Sequence, residues 1–317
     1  MIMKSTTPIS TVPSETETVR TVTGIAPDRM KGRLIEGGYR IITRIGRGGM
    51  ATVYLARRLE DDVLCAVKIM HRALMNIGRF KDRFHIETEA VARINHPNVI
   101  QIFEHGTMSD GLLFMVMEFI PGRSLRSILD HGPVDPGRGC WLGAEIASAL
   151  DAAHSAGVIH RDLKPENVFL VQGDSVHNAF GGIKVLDFGI AKLIDAPSIT
   201  STLHIIGTPE YLSPEQSEKD DIDGRSDIYS LGIMIYEAIT NSLPFNAASV
   251  DDLLRKHRMF KPDPPSLKSP SAGITKFLDE LLLSCMEKDP ARRPQNAHSL
   301  REMFIQAAAG YDEKILY

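Results

Sequence analysis

Several short runs of this chain combine residue types that can handle a phosphate group. Gly46-Arg47-Gly48-Gly49-Met50-Ala51-Thr52-Val53 lies between two strand-like runs. Glycines there let the backbone turn tightly and approach phosphate oxygens closely. A plain glycine hairpin would read the same way. A Walker A loop is excluded, because no Gly-Lys-Ser or Gly-Lys-Thr follows. A dinucleotide fold is excluded too, because a strand rather than a helix comes next. Ala66-Val67-Lys68 sits inside the next apolar strand. A lysine there is either an edge residue facing water or a cation held against α- and β-phosphates. The second role needs an acid to orient it, and the helical pattern over residues 80–94 offers Glu87 and Glu89. Further on come His160-Arg161-Asp162-Leu163-Lys164-Pro165-Glu166-Asn167 and Asp187-Phe188-Gly189.

The octet at 160–167 resembles the catalytic loop of the protein-kinase superfamily. The Gly-Gly-Met-Ala-x-Val-Tyr run and Tyr211-Leu212-Ser213-Pro214-Glu215-Gln216 are most similar to the bacterial, eukaryotic-like (Hanks-type) Ser/Thr kinases. The resemblance covers residues 39–304 and implies phosphoryl transfer from ATP to protein hydroxyls. By that likeness Asp162 accepts and positions the substrate hydroxyl, and Lys164 sits near the transferring phosphate. Asn167 and Asp187 hold Mg²⁺, with Mn²⁺ as a substitute. Glu87, by its spacing to His96-Pro97, is the partner of Lys68, while Glu89 stays on a solvated face. Phe188 packs against the helix of Glu87. Thr208, in Gly207-Thr208-Pro209-Glu210, contacts Asp162 and Lys164. Glu215 pairs with Arg293, and Asp227 anchors the catalytic loop from a buried helix. The nucleotide site implied comprises Ile45, Gly46, Gly48, Val53, Ala66, Lys68, Met117 and Phe169, with the adenine edge at the 118–120 backbone, Glu118 and Ile120 included. Arg161 before Asp162 marks family members activated by phosphorylation of the activation segment, for which Thr200 and Thr202 are the candidates.

The pattern departs from the family in three ways. Ala51 replaces the usual third glycine, and Ser213 the alanine of Ala-Pro-Glu. Asp187 follows Asn167 at twenty residues, longer than usual, with residues 173–182 as a surface hairpin loop. All four residues that a pseudokinase would lose, Lys68, Asp162, Asn167 and Asp187, are present. A small-molecule phosphotransferase would lack the platform from Gly207 to Glu215.

These residues need a two-part scaffold. Short Val/Ile-rich strands are expected at 39–45, 51–56, 64–70, 99–105 and 112–119, with one helix at 80–94. From Ser124 the texture is helical, at 138–154, 226–240 and 274–286. The expected fold is α+β and bilobal. Residues 1–36 form a disordered Ser/Thr/Pro-rich leader, residues 37–306 a kinase domain divided at 119/120, and residues 307–317 a tail.

Composition excludes other classes. The chain has 317 residues, 36 basic and 40 acidic, for a net charge of −4, so nucleic acid is not the expected partner. Cys65, Cys140 and Cys285 form no metal or disulfide spacing. No run is long and apolar enough to span a membrane, and a cytoplasmic protein is expected. The partners are protein substrates and, if threonines of the leader become phosphorylated, a phosphothreonine-binding domain.

Overall fold

The computed structural model describes residues 30–175, 178–188, 209–218 and 222–311. The first part is a six-stranded antiparallel sheet ordered β1-β2-β3-β4-β6-β5. Its strands are β1 (Leu34–Ile35), β2 (Tyr39–Arg47), β3 (Ala51–Arg58), β4 (Leu64–Met70), β5 (Ile102–Thr107) and β6 (Leu113–Glu118). Helix α1 (Phe80–Ala92) buries Phe80, Phe84, Thr88 and Val91, the i, i+4, i+8, i+11 stripe of an amphipathic helix. Strand β7 (Gly122–Ser124) then pairs with β8 (Val168–Ser175), and β8 with β9 (Asn178–Val185), in a second small sheet.

The second part is helical: α2 (Leu125–Leu129), α3 (Pro136–Ser155), α4 (Pro214–Glu218), α5 (Gly224–Thr240), α6 (Val250–Met259), α7 (Pro265–Lys268), α8 (Lys276–Cys285) and α9 (Ala297–Ala308). Every residue of α5 from Ser226 onward is buried. A helix buried all round lies at the centre of its layer. Close approach there depends on missing side chains. A Cβ at Gly232 of α5 would lie 2.6 Å from Cys285 Cβ, and one at Gly143 of α3 2.6 Å from the Phe304 ring.

Three expected boundaries move. Leu34 and Ile35 pair with Arg40 and Tyr39, and Ile35 is buried, so order begins before the expected boundary at Gly37. The strand expected at 99–105 starts at Ile102. Val99 and Ile100 are apolar for another reason: they form a buried crossing, where Val99 bridges Val185 and Ile100 N–H donates to Val185 O. At the other end α9 continues to Ala308, and Thr275 N–H donates to Tyr311 Oη at 3.0 Å, past the expected limit at 306. The inserted loop expected at 173–182 belongs instead to the paired strands β8 and β9, though its Ser175–Asn178 tip is only partly described.

The Glu215–Arg293 pair is fully formed. The guanidinium donates to both Glu215 oxygens at 2.7 and 2.8 Å, and to the carbonyls of Glu287, Arg225 and Lys288. All five of its N–H groups are thereby used. Burial alone would raise the Glu215 carboxyl, but Arg293 and Ser226 outweigh that, and its pKa is lowered. Arg293→Leu should destabilise the fold by about 3–5 kcal/mol, because it strands a buried carboxylate. Arg293→Lys should recover only part, since an ammonium cannot reproduce the fork. Urea unfolding of the two variants measures both.

Candidate active site

A cleft of about 410 Å³ opens between the six-stranded sheet and the start of β8, an ordinary size for a small-ligand site. Ile45 and Gly46 of β2, Val53 of β3 and Ala66 of β4 form one wall; Phe169 and Leu186 form the other, and Met117 of β6 also lines it. Glu118 and Ile120 border the same space. Glu118 N–H is committed to Gln101 O at 3.0 Å, while Ile120 makes no backbone hydrogen bond among the described residues.

Gly48 departs from expectation. It is exposed and does not line the cleft; its N–H turns back to Ala51 O at 2.9 Å to close the β2–β3 hairpin tip. Sequence reasoning also missed Gly122, which lines the cleft and where a Cβ would overlap the Leu170 carbonyl.

Lys68, Asn167 and Asp187 form the polar end of the cleft. Lys68 is 8% exposed, and its Nζ donates to Asp187 Oδ1 at 2.6 Å. Burial pushes the Asp187 carboxyl up, but the ammonium of Lys68, with His160 and Lys164 behind it, overrides this and leaves the pKa lowered. Asp187 is held at φ 63°, a left-handed conformation that costs energy in a non-glycine residue and concentrates at functional sites. Lys68 thus pairs with Asp187 rather than with Glu87 of α1, the partner expected for it. Glu87 instead lines, with Thr88 and Val91, a small cavity that also touches Asp187 and Phe188, so Phe188 does face that helix.

The loop between α3 and β8 carries the reacting group. Asp162 Oδ2 accepts from Lys164 Nζ at 2.6 Å, and the Asn167 amide donates to Asp162 O at 2.8 Å. With its Nδ2 so used, Asn167 has its amide oxygen left for the cleft. The loop is pinned from beneath by Asp227 of α5. One oxygen accepts His160 N–H at 2.8 Å and His154 Nε2 at 2.8 Å, and the other accepts Arg161 N–H at 2.9 Å. His160 Nε2 donates to Leu186 O, which fixes the ring tautomer, and the ring lies 4.7 Å from that of Phe188. Gln216 of α4 donates to Arg161 O at 2.7 Å. Thr208, Thr200, Thr202 and Gly189 lie outside the described residues.

Two further ties had no signal in the sequence. Lys184 Nζ donates to Glu118 Oε1 at 2.7 Å, linking β9 to the end of β6. Arg126 of α2 reaches Glu166, Glu237 and Tyr211 together. Each joins residues so far apart in the chain that only the fold reveals the pair.

The family model described as protein kinase domain matches residues 39–305. The chain belongs to the protein kinase family. It is of the bacterial, Hanks-type Ser/Thr group. It is 39% identical over 279 residues to "Serine/threonine-protein kinase pkn3" of Myxococcus xanthus, covering 86% of this chain and 50% of that protein. It is 38% identical to "Serine/threonine-protein kinase PknB" of Mycobacterium leprae, covering 84% of this chain and 42% of that protein. The chain thus spans about half the length, or less, of the curated relatives it matches. The crystal structure of the Mycobacterium tuberculosis PknI kinase domain superposes with a TM-score of 0.69 at 26% identity, covering 87% of this chain and 98% of that one.

A kinase domain implies ATP and a divalent cation, and the residues present fit both. The cleft has apolar walls of adenine-binding character and one polar end. At that end a lysine and a carboxylate serve as each other's counter-ion, one suited to phosphate and the other to a hard cation. Near the hairpin tip, a Cβ at Gly49 would meet nothing within 4 Å, and one at Gly46 only Val53 at 3.8 Å. Crowding by the protein therefore does not require glycine there, which is the pattern expected if a ligand approaches the bare backbone. Among the described residues no helix is long and apolar enough to cross a membrane.

Proposed function

We propose that this chain transfers the γ-phosphoryl group of Mg-ATP to serine and threonine hydroxyls of protein substrates, and that it activates itself by phosphorylation at Thr200 and Thr202. The observation that carries this reading is the Asp162–Lys164–Asn167 cluster, which Asp227 holds beside a cleft ending in Lys68 and Asp187.

Bound Mg²⁺ would neutralise phosphate charge. Asn167 and Asp187 are the residues to hold it, and Lys68 the one to hold the α- and β-phosphates. Asp162 orients the acceptor hydroxyl and takes its proton at the carboxylate oxygen not engaged by Lys164. Val53, Ala66 and Phe169 sandwich the adenine, and the 118–120 backbone reads its edge. Little covalent chemistry falls to the protein, so positioning and charge neutralisation provide the acceleration.

Phosphorylation at Thr200 or Thr202 would place nearly two negative charges in the segment that leads to Thr208. Arginine is the natural partner of such a group, and Arg161 adjoins the catalytic base. Thr208 would contact Asp162 and Lys164. The leader threonines Thr16, Thr18, Thr21 and Thr23 are further sites, and a phosphothreonine-binding domain is the partner they would recruit. The kinase domain works in the cytoplasm, where Mg-ATP is abundant.

Mass spectrometry after incubation with Mg-ATP tests the reading in one experiment. Phosphate should appear on Thr200 and Thr202 and on added Ser/Thr peptides. The Thr200→Ala, Thr202→Ala double variant should lose at least about tenfold in peptide phosphorylation, the loss of a few charge-assisted contacts. An unphosphorylated but fully active protein would remove the activation step from the proposal.

A further inference from the structure

His71 lies immediately after β4, the strand of Lys68, and grips the glycine hairpin at three points. Its backbone N–H donates to Met50 O at 2.8 Å. Its ring bonds Gly49 O through Nδ1 at 3.1 Å and Thr52 Oγ1 through Nε2 at 3.1 Å. A carbonyl can only accept, so Nδ1 carries a proton. In the neutral ring Nε2 then accepts the Thr52 hydroxyl hydrogen. One side chain thus ties together the tip of the hairpin and the strand leaving it.

The tip has few other restraints. Gly48 N–H closes onto Ala51 O, and the ladder resumes at Arg47 opposite Thr52 and at Ala51 opposite Met70. Glycine backbone loses the most freedom on ordering. A hairpin that orders only when ligand arrives takes that cost out of the binding energy, whereas a hairpin already held does not. Gly46 and Val53, on either side of the tip, both line the cleft, so whatever fixes the tip fixes that wall.

We propose that His71 is a positioning residue for the nucleotide, an imidazole latch that holds the glycine hairpin over the cleft before ligand binds. The proposal rests on the reading of that cleft as the ATP site. His71 is not among the residues lining the cleft and acts through Gly49 and Thr52. Its consequence is tighter Mg-nucleotide binding and slower nucleotide release, with no part in the transfer step.

The test uses the full chain, a fluorescent ADP analogue with Mg²⁺ for affinity and release rate, and steady-state transfer to a Ser/Thr peptide. His71→Ala should raise Kd for the analogue and KM for ATP roughly threefold to tenfold, as expected for one or two hydrogen bonds. Release should speed up by a similar factor, kcat should stay equal or rise, and peptide KM should not move. His71→Asn keeps an N–H donor near the place of Nδ1 and should restore part of the affinity. Thr52→Val should weaken binding less, and adding it to His71→Ala should cost little more, because the two side chains share one bond. If affinity and release stay within about 1.5-fold of the unaltered protein, or if only thermal stability falls, His71 is a structural brace and the proposal is wrong. If the unaltered protein binds no Mg-nucleotide, the fault lies in the reading of the cleft, and the latch falls with it.

Discussion

Asp162→Asn should lower phosphoryl transfer by about a hundredfold to ten-thousandfold, the range for losing a positioned proton acceptor, with nucleotide affinity nearly unchanged. The shape of the side chain is kept, so the Asn167 bond to Asp162 O survives. What is lost is the carboxylate that Lys164 meets at 2.6 Å. Asp162 is not among the residues lining the nucleotide cleft, which separates the two readouts. Lys68→Met should be as damaging in kcat/KM but by another route. It removes the cation that keeps the Asp187 carboxyl low against its burial, so it should weaken Mg-nucleotide binding as well. Near-normal transfer by purified Asp162→Asn protein would overturn the assignment of the base. Unchanged nucleotide affinity in Lys68→Met would overturn the role given to the cleft's polar end.

The chemistry of this site was legible in the sequence because its parts are short and local. Asp162, Lys164 and Asn167 fall within six residues, and one turn of chain brings them together. The strand of Lys68 was equally plain, seven residues of Leu64–Met70 with six buried. The central helix showed itself by its strong apolarity, and the family resemblance singled out Asp227 near its start as the anchor of the catalytic loop. Residues whose roles come from distant partners were legible only where the family resemblance supplied the pair, as for Glu215 with Arg293 and Asp227 with the catalytic loop. Nothing local marks His71, Lys184 or Arg126, because the atoms they bond are set by how strands and helices stack. Val99 and Ile100 misled for a related reason. Apolar residues fill a buried crossing as readily as a strand, and periodicity cannot separate the two. Gly48 falls outside the cleft lining because a glycine-rich run announces a tight turn without saying which of its glycines lines the cleft.

Asp227→Ala should abolish most activity and also destabilise the fold, the largest combined effect expected of any single change here. Its carboxylate is 1% exposed and accepts two backbone N–H bonds plus His154. Removing it leaves the His160 and Arg161 amides without their acceptor, at about 1–3 kcal/mol for each buried donor left unmade. Arg161 is held at φ 66°, a conformation that persists only while its surroundings enforce it. Without the anchor that residue relaxes, and Asp162, the next one, moves with it. Activity should therefore fall at least about a hundredfold, since misplacement of about 1 Å is enough for that. The effect has a pH signature. Burial would raise the Asp227 carboxyl, but the bonds from His154 and the loop amides outweigh it, and its pKa is lowered in the folded state. In the unfolded chain it titrates near 3.9. Its contribution is thus fully present above that pH and is lost as pH falls through the lower folded value. Urea unfolding at pH 7 and at pH 3.5 should show the unaltered protein losing more stability on acidification than Asp227→Asn, which carries no charge to lose. Equal losses in the two proteins would mean that the carboxylate charge does not anchor the loop.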